Sequence, residues 1–262
     1  MKHINVLIFM LFILFSSCKK ESTIIEEGTG PLTVEFDNVV GSADLNLGTG
    51  SYINSSGENF SVDILRYYVS NFIFTKTDGT VYTVPQDDSY FLVDESDEDT
   101  HEPLFDLPVG AYKSVQFTIG VDSLRSTMDI EDRTGVLDPT AVAGDMYWGW
   151  NSGYIFLKLE GKSAASPMDG DFMYHIGGFG GYSATTINNI QTVTLNLQER
   201  GVPEVKTDGS SNIHLFVDIL KLFEGDETVS IATHPMEMFT PYSTTISANY
   251  KSMFSHDHTE NE

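Results

Sequence analysis

The chain has 262 residues, and its formal charge is −24. With 40% hydrophobic and 12% aromatic residues it has ample material for one large core, so a disordered polymer is excluded, and the strong negative charge speaks against nucleic acid and favours cations as partners. The single cysteine, Cys18, excludes an intramolecular disulfide.

The chain opens with a basic start (Lys2, His3), an apolar run over residues 6–15, and then Ser16-Ser17-Cys18. Small residues before a cysteine at the end of such a run predict a lipoprotein signal peptide over 1–17 and lipidation at Cys18. The apolar run is too short for a convincing membrane span. Lys19 and Lys20 follow the cysteine with no aspartate directly after it, which by analogy with bacterial lipoproteins predicts lipid anchoring at the outer membrane or cell surface. Residues 18–30 read as the lipidated cysteine and a polar tether.

Pro31 opens the expected folded domain, 31–258, with 259–262 as a tail. Leu32, Val34 and Phe36 alternate with Thr33 and Glu35, the period of a strand with one buried face. One strand is expected through Leu45 and Leu47. Residues 60–74 slip out of alternation at Ile64-Leu65, which predicts two short strands or one bulged strand. Asp78-Gly79 marks a hairpin turn. Residues 90–93 form a short strand, and the acidic run 94–99 reads as a solvated loop, because it lacks the turn glycine of a calcium loop. Val115, Phe117, Ile119 and Val121 give the clearest alternation, and residues 122–139 are polar with one helical turn expected. Further strands are expected at residues 172–176, 193–197 and 213–219, with His214 on the opposite face from its apolar neighbours. Ile246, Tyr250 and Met253 or Phe254 recur at helical spacing, so a closing helix is expected before His256 and His258. Many short strands and little helix predict an all-β fold, a single antiparallel β-sandwich with a short C-terminal helix.

Both tryptophans fall in one stretch, Asp145-Met-Tyr-Trp-Gly-Trp-Asn-Ser-Gly-Tyr-Ile-Phe-Leu-Lys-Leu-Glu-Gly161. An extended backbone over 146–150 places Met146, Trp148 and Trp150 on one face. Core packing alone explains such a pair, since large aromatics dominate cores. No nucleophile elbow, phosphate loop or H-E-x-x-H motif is present, and the chain is expected not to be an enzyme. Metal chemistry has more support. His175 precedes two adjacent glycine pairs (Gly177-Gly178 and Gly180-Gly181), and His256 and His258 lie close to the chain end. Imidazole is a good copper ligand, and the thioethers of Met146 and Met173 suit copper(I). His101 and His234 sit beside prolines and read as loop residues.

The runs MYWGWNSGYIFLKLEG and FMYHIGGFGG, with FDNVVGSADLNL, FSVDILRYYVSNFIF and TGVLDP upstream, resemble the signature of the MbnP-like family of secreted or lipid-anchored copper binders. The resemblance spans nearly the whole mature chain. It implies copper held by two histidines and a kynurenine, formed from Trp148 or Trp150, with His175 as one ligand. The second histidine would come from His256, His258 or His214, since Asn151 stands where a histidine could follow Trp150. Indole nitrogen donates and has no free lone pair, so ring opening is what converts it into a ligand. That step needs an oxidant, and the resemblance implies a secreted di-haem peroxidase-like partner. Two other readings compete: a metal-free aromatic platform of Trp148, Trp150 and Tyr154 for a carbohydrate, a peptide or an outer-membrane transporter, and a scaffold in which the motif is core packing.

Overall fold

In the computed structural model, residues 28–141, 145–150 and 153–262 are described. The expected signal peptide, Cys18 and most of the tether lie outside them, as do Asn151 and Ser152. The strands, in chain order, are β1 (Thr29–Val40), β2 (Ala43–Asp44), β3 (Tyr52–Ile53), β4 (Asn59–Lys76), β5 (Val81–Thr83), β6 (Tyr90–Asp94), β7 (Leu104–Pro108) and β8 (Gly110–Ile119). After the short helix α1 (Ser123–Thr127) come β9 (Tyr147–Trp148), β10 (Gly153–Lys162), β11 (Asp171–Gly177), β12 (Gln191–Asn196), β13 (Glu204–Val205) and β14 (Ser211–Asp218). Helix α2 (Leu220–Phe223), β15 (Met236–Glu237), α3 (Ser243–Tyr250) and β16 (Phe254–Asn261) complete the chain.

Two sheets face each other. The smaller has the order β16-β14-β1-β2, with β7 on β1; the larger runs β12-β8-β4-β10-β11-β15 and carries β3, β5, β6, β9 and β13 on its members. Each inner face is apolar at every second residue, as a half-buried strand must be. In β14, Ile213, Leu215 and Val217 are buried while His214 and Phe216 point outward. Edge-on aromatic contacts join the sheets: Phe36 of β1 lies 5.7 Å from Phe117 of β8, and Phe254 of β16 lies 5.2 Å from the same ring. The pairing is antiparallel except for β1 with β14 and β11 with β15.

One expectation holds and several need correction. Residues 60–74 form the single bulged strand expected as one of two alternatives, within an 18-residue strand whose pairing with β10 slips between Val62 and Ile64. It bends at Asn71, whose φ of 54° is tolerated by asparagine better than by most side chains. The expected strand through Leu45 and Leu47 shrinks to Ala43–Asp44. The folded part extends past its expected limits at both ends: β1 starts at Thr29, and the expected tail supplies three residues of β16. The helix stops at Tyr250, and a 3-10 turn hands the chain to β16, which satisfies the open edge of β14. No helix among the described residues is long and apolar enough to cross a membrane.

Candidate metal centre

A second apolar cluster sits outside the sandwich core, made of Tyr68, Leu92, Val121, Leu137, Met146, Trp148, Tyr154, Ile155 and Phe156. A local irregularity in β10 creates it. Ile155 pairs with Gly177 and Leu157 with Ile176, so Phe156 is an extra residue that switches which side chains face outward. Gly120, at φ +115°, leaves room for the Phe156 ring, which a Cβ there would approach to 2.7 Å. The polar crossover between β8 and β9 then closes over the apolar patch. Tyr154 Oη donates to the Leu137 carbonyl (2.6 Å) and Tyr68 Oη to the Val136 carbonyl (2.8 Å). Buried Arg133 pins the crossover by donating to the carbonyls of Ser126 and Met128, while its guanidinium rests 5.7 and 5.6 Å from the rings of Tyr147 and Tyr154.

The Trp motif is the hairpin that ends this crossover. Tyr147 pairs with Tyr154 and Trp148 with Gly153. The extended run expected over 146–150 stops at Trp148, because the chain turns at Gly149 and Trp150. Met146 and Trp148 are therefore buried, whereas Trp150 is 67% exposed. The two indoles stay 5.3 Å apart, and Phe239 packs edge-on against Trp148 at 6.1 Å. Tyr154 is fully buried. A platform of Trp148, Trp150 and Tyr154 is thereby ruled out, since two of its three rings are inaccessible.

Trp148 lies over β11. A Cβ on Gly177 would come within 2.9 Å of the indole and collide with the Tyr154 carbonyl, so only glycine lets the ring seat there. The buried Nε1 of Trp148 has no hydrogen-bond partner. His175 is two residues from Gly177 on the same outward face, about 6.6 Å along the strand. Its Nε2 meets Glu160 Oε1 at 2.7 Å. If that nitrogen carries the proton, the carboxylate accepts and Nδ1 keeps the lone pair. Glu160 in turn lies 3.6 Å from Lys158 Nζ, and Lys158 and Arg66 each reach Asp145 Oδ2 at 2.8 Å. Burial pushes the Asp145 carboxyl up, but Lys158, Arg66 and His175 outweigh it and hold it below the usual carboxylate range. The base of the Trp hairpin is thus tied electrostatically to β4 and β10, and through Glu160 of β10 to His175 on β11.

Methionines complete this face. Met173 shares the outward side of β11 with His175, and parallel pairing sets Met236 beside Met173. Met238, one alternation further on, packs against the cluster that holds Trp148. The sequence signal for these two was the M-x-M alternation at 236–238, in a stretch not read as a strand. A groove of about 370 Å³ adjoins the hairpin, lined by Arg133, Tyr147, Phe179, Tyr182 and Phe239 among others.

The tail histidines go elsewhere. His258 pairs with His214 and His256 with Leu215 on β14, in the smaller sheet. His214 faces outward there, so neither tail histidine joins His175 and the indoles. Burial pulls the His256 imidazole below its ordinary range, and its Nε2 meets Thr259 Oγ1 at 2.9 Å. His101 bonds the Asp94 carbonyl, and His234 stacks on Tyr242 at 3.4 Å and bonds Glu237.

Fold and site together define an all-β sandwich with a sulfur- and imidazole-bearing patch on the outer face of its larger sheet. The MbnP family model matches residues 29–241, and the chain belongs to that family. The fold is similar to that of MbnP from Methylosinus trichosporium, with a TM-score of 0.52 and 17% identity over 81% of this chain and 82% of that one. No curated protein matches the sequence.

Proposed function

We propose that the protein is a copper-binding lipoprotein, anchored through Cys18 at the outer membrane or cell surface, which takes up, stores or delivers copper. The family's link to methanobactin and copper supports the class of cargo. The observations that carry the local assignment are the buried, unpartnered Nε1 of Trp148 and the seating of the benzene edge of that indole over Gly177, two residues from His175. In this reading His175 Nδ1 is the imidazole ligand, oriented by Glu160 on its other nitrogen. Met173, Met236 and Met238 add thioethers, which select copper(I) over harder ions.

Oxidation to kynurenine falls on Trp148 in this scheme, because opening its pyrrole ring replaces an unsatisfied donor with an aniline nitrogen able to ligate. The oxidant is hydrogen peroxide: two equivalents each give one oxygen to the cleaved pyrrole ring and release the other as water, and hydrolysis then frees the excised carbon as formate. The catalyst is a di-haem peroxidase-like partner that docks at the exposed Trp150, 5.3 Å away. An outer-membrane transporter is the proposed recipient or source of the metal. Competitive copper(I) titration tests the ligand assignment: His175→Ala weakens binding at least about tenfold, and unchanged affinity removes His175 from the site. Intact-mass and peptide analysis after coexpression with the peroxidase-like partner tests the modification. An unmodified Trp148 peptide contradicts it.

A further inference from the structure

We infer that a second cation site, independent of the copper face, lies on the outer surface of the smaller sheet, where His214, Asp257 and His258 bind a divalent ion of the zinc class. Register builds it. His214 of β14 pairs with His258 of β16, but the next β14 residue, Leu215, pairs with His256. Asp257 is therefore the extra residue of a bulge, and bulges re-aim side chains. Its carboxylate is aimed between two imidazoles: Oδ2 lies 2.7 Å from His258 Nδ1 and 3.4 Å from His214 Nδ1. The rings stack 4.8 Å apart. One ligand atom from each of the three residues falls within 4.8 Å of the other two. Ions with bonds of about 2.0–2.1 Å have ligand–ligand edges of roughly 3.0–3.4 Å, so small rotations of the side chains admit one.

The far side of each ring adds an independent observation. His214 Nε2 faces Asp37 at 3.5 Å and Glu35 at 3.7 Å, and His258 Nε2 faces Glu260 at 3.4 Å. Both imidazoles thus turn one nitrogen to an outer carboxylate and the other to a common centre, the arrangement that orients metal-ligating histidines. His214 Nδ1 is buried and makes no hydrogen bond. Glu35 is itself held by Asn212, which donates to its Oε2 at 2.6 Å. Two nitrogens and one carboxylate suit zinc better than calcium or magnesium, which prefer all-oxygen shells. No thioether is among the three ligands, so the site differs in softness from the copper face.

Zinc chloride titrated calorimetrically into chelator-treated full-length protein tests this, with His258→Ala, His258→Gln, Asp257→Asn and His175→Ala in parallel. The expected result is one zinc per chain in wild type and in His175→Ala, with affinity reduced at least about tenfold in the other three. Zinc also raises the thermal midpoint of wild type, since it binds the folded chain, and does so much less for His258→Gln. Wild type that binds no zinc overturns the inference, as does undiminished binding in the His258 and Asp257 variants. So does loss of zinc in His175→Ala. Copper(I) affinity measured on the same samples reports separately on the copper face, so either site can fail alone.

Discussion

The two outer faces of the sandwich make an instructive contrast. On the larger sheet, the crossover between β8 and β9 buries an apolar cluster, and the donors beside it are one imidazole, thioethers and an unpaired indole N–H. On the smaller sheet the donors are imidazoles ringed by carboxylates. Yet one device shapes both. An extra residue, Phe156 in β10 and Asp257 in β16, breaks strict alternation and brings together side chains that a regular strand would hold apart. What differs is the ground around each bulge. Thioethers beside an apolar cluster favour a soft ion, whereas a ring of carboxylates favours hard or borderline cations.

The contrast breaks most readily at the cover. Arg133→Met leaves the carbonyls of Ser126 and Met128 without their donor and removes the brace between Tyr147 and Tyr154. The expected loss is about 3 kcal/mol in denaturant unfolding, with zinc binding at the opposite face retained in the folded fraction. Gly177→Ala comes next. The added methyl meets the Trp148 ring and the Tyr154 carbonyl, so a loss of about 2 kcal/mol is expected. A red shift of tryptophan emission as the Trp148 indole is displaced is the optical check.

Glu160→Gln acts more locally. It weakens the orienting bond to His175 Nε2 and should reduce copper(I) affinity by about tenfold, roughly 1.4 kcal/mol. Zinc affinity should not change.

The smallest effect concerns acid. Burial raises the Glu58 carboxyl, but bonds from Asn54, from the backbone of Ala232 and Ile231, and from Ser230 outweigh it and leave it below its ordinary value. A carboxyl depressed by folding contributes stability above its unfolded pKa, and that stability drains away as the pH falls through the folded one. The Glu58 bonds hold the segment that leads to Met236 and Met238. Acidification below the usual glutamate range should therefore lower stability more steeply in wild type than in Glu58→Gln, as followed by denaturant unfolding at a series of pH values.

Much of this was legible in the chain. Alternation of Leu32, Val34 and Phe36, and of Ile213, Leu215 and Val217, identified strands and their buried faces, because burial on one side enforces a two-residue period. It also put His214 on the outward face. The Trp hairpin was visible as a motif, but its shape was not: the turn at Gly149 and Trp150 depends on pairing Tyr147 with Tyr154, a contact set by the sheet. The separation of His258 from His175 was equally hidden. His256 and His258 follow a helix closely enough to look like a loose tail, and only the unpaired edge of β14 draws them into a strand. Met236 and Met238 escaped notice because β15 is two residues long and gains its register from β11.

X-ray absorption at the copper edge tests the central assignment most directly, using full-length protein loaded with one equivalent of copper(I). The account predicts a mixed shell of nitrogen and sulfur neighbours, with sulfur diminished in Met173→Leu and Met238→Leu and nitrogen diminished in His175→Ala. A shell of nitrogen and oxygen alone, unaltered by His175→Ala and changed by His258→Ala, would contradict it.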